Sequence, residues 1–96
     1  MTDEHKSQVE QNANRIVEWL VENRTTFEAQ GAEEDTLTTA VGVTGTDLAE
    51  AIDYLENREE VVRMPHGMTI PPHFLLKPGR GWPEIKDKII GKGSNA

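Results

Sequence analysis

The chain of 96 residues contains no cysteine. That excludes a disulfide framework, a thiolate nucleophile and a cysteine-based zinc site. Serine is almost as scarce: Ser7 and Ser94 are the only two, one beside a helix start and one near the C-terminus. No Ser/His/Asp or Cys/His arrangement is therefore available for covalent catalysis, and an enzyme is not expected. Aromatic residues make up 5 % of the chain, so the core must rest on aliphatic side chains. No apolar run approaches the length that crosses a bilayer, and the N-terminus lacks a signal-peptide pattern. The expectation is a soluble, cytoplasmic protein of one small domain. The last absence is local. Residues 32–57 carry seven Asp and Glu and not one Lys or Arg.

That gap is part of a wider asymmetry. The net charge is −7. Residues 1–57 hold three basic side chains against thirteen acidic ones, and residues 58–96 hold seven against four. The sign split predicts a polarised surface, although an acidic half also serves solubility alone.

Apolar spacing sets out the elements. Ser7-Gln8-Val9-Glu10 is a capping box. Behind it Val9, Ala13, Ile16 and Leu20 share one face of a helix over residues 8–23, with residues 1–7 expected to be flexible. Trp19, Val17 and Val21 widen its apolar arc beyond what one neighbour needs. Residues 24–31 read as a connector in which Phe27 plugs the core and Gly31 breaks the chain. A second, short helix is predicted over residues 32–41, with Leu37, Ala40 and Val41 inward and Gly42 in the left-handed position that ends it. Thr44 is the expected N-cap of TGTDLAEAIDYLEN, residues 44–57, with Asp47 in the acidic slot of the cap. Leu48, Ala51, Ile52 and Leu55 form its inner stripe.

A hairpin follows, pairing 61–64 with 74–77 around a tip at 65–72, where Pro71 and Pro72 prevent a regular strand. Trp82 precedes Pro83 at the start of a final helix over 83–90, packed through Trp82, Ile85 and Ile89. The tail 91–96 is expected to be flexible.

The run Leu37-x-x-Ala40-x-Gly42-Val43-Thr44-x-x-x-Leu48-x-x-Ala51-Ile52-x-Tyr54-Leu55-x-x-Arg58-x-Glu60-Val61-Val62-Arg63 resembles the core of a winged helix-turn-helix domain. The resemblance covers residues 8–90. It implies an α+β, mainly α fold, with a three-helix core, a β-hairpin wing and a short C-terminal helix. It also implies a DNA-binding-like regulator whose third helix, 44–57, enters the major groove while the wing lies over the backbone.

The residues on that helix sit uneasily with this use. Its outer face offers Thr46, Glu50, Asp53 and Asn57, with Asp47 and Glu56 beside them. Phosphate neutralisation needs cations, and base-edge readout favours Arg, Asn or Gln. The basic residues lie instead around the hairpin: Arg63, His66, His73, Lys77 and Arg80. Two uses follow. In one, DNA is contacted through the wing by these five residues. In the other, the domain is a protein–protein interaction module, or an acidic nucleic-acid-mimic decoy, and the acidic face docks a basic partner. A homodimer through the first and last helices would cover any surplus of apolar surface. His66 and His73 lack a third ligand, and Pro78-Gly79-Arg80-Gly81 lacks phosphate-loop spacing, so no metal or cofactor is expected.

Overall fold

The computed structural model describes residues 3–66 and 73–94. In chain order it has helices α1 (Asp3–Glu22) and α2 (Arg24–Gln30), strand β1 (Ala32–Glu33), helices α3 (Glu34–Val41) and α4 (Gly45–Asn57), strands β2 (Val61–His66) and β3 (His73–Pro78), and helix α5 (Trp82–Ser94). The strands form one antiparallel sheet in the order β1-β3-β2. The fold is α+β and mainly helical. Among the described residues no helix is long and apolar enough to cross a membrane.

The core follows the apolar spacing closely. Ala13, Ile16, Val17, Leu20 and Val21 of α1 meet Leu48, Ala51, Ile52 and Leu55 of α4, and all nine are buried. Each large aliphatic side chain buried in this way contributes about 1.5–3 kcal/mol relative to exposure. Leu37 and Val41 of α3, Val61 of β2, Leu76 of β3 and Trp82 of α5 close the remaining sides. Ala40 does not join them: it is exposed on α3, because Leu37 and Val41 already supply the inward stripe. Val17, Val21 and Trp82 are buried within the chain and so present nothing to a second copy; Trp19, Ile85, Ile89 and Ile90 are half-buried against the core.

Local structure departs from the expectation at several places, each for a physical reason. Helix α1 begins at Asp3, ahead of the Ser7 cap. Glu4 in its first turn suits the helix dipole, and His5 is held by Glu50 of α4 at 2.6 Å. Residues 24–30 form a helix rather than a connector. Tertiary contacts of Phe27, buried in the core, and of Glu28 with α5 override the weak propensity of Thr25 and Thr26.

Ala32 and Glu33 form a strand, not the first turn of a helix, pairing with Leu76 and Leu75. Gly31 makes this approach possible. Its φ is +84°, and a Cβ there would lie 2.7 Å from the Leu76 carbonyl oxygen, so only glycine fits. Helix α5 starts at Trp82 and continues to Ser94, past the expected end at residue 90.

Gly42 takes the expected left-handed conformation after α3, and its N–H donates to Thr38 O. Arg15 of α1 donates to the Val41 carbonyl at 2.6 Å, supplying the cation that α3 lacks in its own last turn. Thr44 occupies the N-cap of α4 in an extended conformation, but its side chain makes no cap hydrogen bond. Gly45 follows it with φ +58°, which turns the chain into the helix by a route other than the usual cap.

At its other end α4 closes in a Schellman motif, with Glu59 N–H donating to Glu56 O and Glu60 N–H to Leu55 O. Glu59 holds the left-handed position, φ 63°, where glycine is usual.

Candidate acidic interface on α4 and β2

The inner stripe of α4 fixes its outer face, since each residue advances about 100° around the axis. Thr46, Asp47, Asp53 and Asn57 are exposed, and Glu50 and Glu56 are half-buried. The hairpin register then decides what lies beside this face. Val61 pairs with Pro78, Val62 with Lys77, Arg63 with Leu76, Met64 with Leu75, and His66 with His73. Directly opposed residues share a face of the sheet. Arg63 therefore shares its face with Leu76, which is buried in the core, and points toward α4. Val62, Met64, Leu75 and Lys77 lie on the other face.

The structure thus separates the basic residues that the sequence groups together. Arg63 is bound to the acidic helix. Its Nη2 donates to Asp53 Oδ1 at 2.5 Å and to Glu56 Oε1 at 2.8 Å, and its Nε donates to Glu56 Oε1 at 3.2 Å. These bonds, led by the one to Glu56, push the guanidinium further above its already high pKa. Lys77 is half-buried on the opposite face of the hairpin, and Arg80 is exposed in the turn after β3. The register sets His66 opposite His73, while their side chains and residues 67–72 of the expected tip lie outside the described residues.

The outer face of α4 and the Arg63 side of β2 are consequently one surface. On it Glu50 faces the imidazole of His5, and Asp53 and Glu56 face the guanidinium of Arg63, while Asp47 is exposed on the same helix. A shallow groove of about 270 Å³ runs alongside, lined by His5, Lys6, Val9, Glu50, Asp53, Tyr54 and Asn57. Its lining combines the apolar Val9 and the Tyr54 ring with the acids Glu50 and Asp53 and the base Lys6. No group of three or more His, Cys, Asp or Glu able to hold a metal ion occurs among the described residues.

Sequence reasoning missed His5, which it placed in a flexible end, and the part played by Glu56. The i, i+3 spacing of Asp53 and Glu56, followed by a lone Arg on the next strand, was the available signal.

Two further carboxylates are structural. Glu28 accepts from Trp82 Nε1 at 2.7 Å and from Lys86 Nζ at 2.8 Å, tying α2 to α5. The Lys86 bond, then the Trp82 bond, lowers its pKa from the ordinary value of 4.5. Glu60 is buried, 3.1 Å from Arg58 Nε. Burial raises its pKa, against the opposing pull of Arg58 and Lys88.

The two have opposite linkage signs. Glu28, lowered on folding, contributes stability that is present above pH 4.5 and lost as pH falls below it. Glu60, raised on folding, contributes stability that is complete below pH 4.5 and lost as pH rises through its folded value. Thermal unfolding across the acid range should show Glu28→Gln losing ground to the parent as pH rises, and Glu60→Gln gaining on it. Parallel profiles for both variants would refute the assignment.

No protein family, no curated protein and no solved structure matches the chain.

Proposed function

We propose that the chain is a winged-helix-like protein-interaction module whose acidic α4 face docks a cationic segment of a partner. The element order supports the winged-helix reading: a short strand between α2 and α3, a hairpin directly after α4, and the strand order β1-β3-β2. The function is carried by one observation, the capture of Arg63 by Asp53 and Glu56.

A wing that contacts DNA needs its cations on the phosphate side. Here Arg63 is spent on α4, and Lys77 faces the other way. A phosphate brought against this surface meets like charge, at about 1 kcal/mol for each pair at 4 Å even in bulk water. A guanidinium or ammonium meets the reverse, because the four carboxylates of α4 outnumber the cations beside them, Lys6 and Arg63. Arg63 itself shows the geometry by which a partner's arginine would be held: two acids of α4 sharing one guanidinium.

The test uses two labelled probes, a short DNA duplex and an oligo-arginine peptide, titrated by fluorescence anisotropy at low salt. The duplex should not bind. The peptide should bind with an affinity that falls as salt rises, and Asp53→Asn with Glu56→Gln should weaken it by about tenfold or more. Duplex binding that disappears in an Arg63→Ala/Lys77→Ala variant would overturn the proposal and return the function to the wing.

A further inference from the structure

We infer that β2 is the docking edge of this surface, and that the partner segment adds to it as a fourth strand with alternating apolar and basic residues. The inference rests on the interaction reading above and specifies the shape of the ligand.

Three observations converge on β2. First, among the described residues the strand order β1-β3-β2 puts it at the edge of the sheet, where a strand can be extended by another chain. Its pairing parity follows from the Gly79 N–H bond to Glu60 O, which makes 60↔79 a hydrogen-bonded pair. Bonded pairs alternate along an antiparallel ladder, so 62↔77 and 64↔75 are also bonded. Pro65 and Pro78 then fall at non-bonded positions, where a missing N–H costs the hairpin nothing.

Second, among the described residues the large exposed hydrophobics belong to this strand: Val62 is 40 % and Met64 48 % exposed. Both lie on one face, with Leu75 beside Met64. Edge strands are usually blunted by charge at such positions, and here they are apolar.

Third, the other face of the same strand abuts Asp53 and Glu56 of α4 through Arg63. An added strand alternates sides residue by residue. Its odd side chains would extend the Val62–Met64 strip, and its even ones would meet the carboxylates. The matching sequence is therefore apolar–basic–apolar–basic. The absent N–H of Pro65 limits the ladder to residues 61–64, so the docking strand is short.

Charge selects this occupant over a second copy of the chain. Each copy carries −7, and a symmetric β2–β2 contact would bring two sets of Asp53 and Glu56 to the same interface.

The test compares three synthetic probes on the full chain: a capped Val-Arg alternating hexapeptide, the same peptide N-methylated at alternate residues, and a peptide of the same composition with its valines and arginines in two blocks. The alternating peptide should bind tightest and shift the amide resonances of residues 61–64. N-methylation, which removes main-chain donors, should weaken it about tenfold. Val62→Thr with Met64→Thr, exposed positions that keep strand propensity, should weaken it about fivefold without changing the unfolding midpoint. If N-methylated and blocked peptides bind as well as the alternating one, and only Asp53→Asn with Glu56→Gln lowers affinity, the edge proposal falls while the interaction reading stands. If no basic peptide binds, both fall. A concentration-dependent dimer abolished by Val62→Thr/Met64→Thr would assign the edge to a second copy and overturn the proposal.

Discussion

Trp82→Ala should destabilise the domain by about 3–5 kcal/mol, the range for truncating a large buried aromatic. The side chain is 2 % exposed and stands edge-on to Phe27, with ring centroids 4.7 Å apart and planes at 73°. Such a pair adds to the burial energy because the positive rim of one ring meets the negative face of the other. The indole N–H is also used, donating to Glu28. Truncation therefore empties a cavity, removes the ring contact and releases the α2–α5 tie together.

Small domains have total stabilities of about 5–15 kcal/mol, so the variant should lose much of its folded population. Trp82→Phe keeps most of the volume and loses the Glu28 bond, and should fall between the two. Trp19→Ala is the control: Trp19 is only half-buried and should cost clearly less. Urea titrations of the three variants decide it. A Trp82→Ala loss below that of Trp19→Ala would mean that α5 is not part of the cooperative core.

Gly79→Ala should cost about 2–4 kcal/mol, near or above the usual upper range for overpacking, because the obstruction is backbone. A Cβ at this position would lie 2.4 Å from the Glu59 carbonyl oxygen and 3.0 Å from Val61 N. Neither atom can rotate away. The turn after β3 is pressed onto the turn after α4 by two bonds, Gly79 N–H to Glu60 O at 3.1 Å and Gly81 N–H to Glu59 O at 2.7 Å. Moving one turn off the other disturbs the Schellman end of α4, the first pair of the hairpin and the start of α5 at once. Gly81→Ala meets the same turn at 3.2 Å, where small shifts suffice, and should cost less. Denaturant midpoints of the two variants check the order; equal and small losses would show that the two turns separate freely.

The sequence was most legible where one physical signal had no competitor. Leu48, Ala51, Ile52 and Leu55 repeat at helical period between a glycine turn and a charged stop, and α4 follows that pattern. Gly42 sits where a left-handed residue is required, and the hairpin is bracketed by β-favouring runs. The missed elements were those that depend on partners distant in sequence. Two residues, Ala32 and Glu33, are too few to show a period, and their strand exists because β3 passes beside Gly31. Helix α2 draws its stability from Phe27 and Glu28 reaching α5, against its threonines.

The site was legible in part. Its acidic face could be read from residue types on one helix. The division of the basic residues could not. Counting along the sequence puts Arg63 and Lys77 together, whereas strand alternation and register put them on opposite faces. The pairing of Arg63 with Asp53 and Glu56 needs the angle between α4 and β2, which the sequence does not carry.

That pairing is also where the account is most exposed to test. The side-chain Nε–Hε resonance of Arg63, followed by NMR, reports directly on whether the guanidinium belongs to α4. It should exchange slowly with solvent, move when oligo-arginine competes for Asp53 and Glu56, and stay unchanged when duplex DNA is added. An Arg63 signal that exchanges like that of an exposed arginine and moves with duplex but not with peptide would contradict the acidic interface and restore the β2–β3 hairpin as a DNA contact.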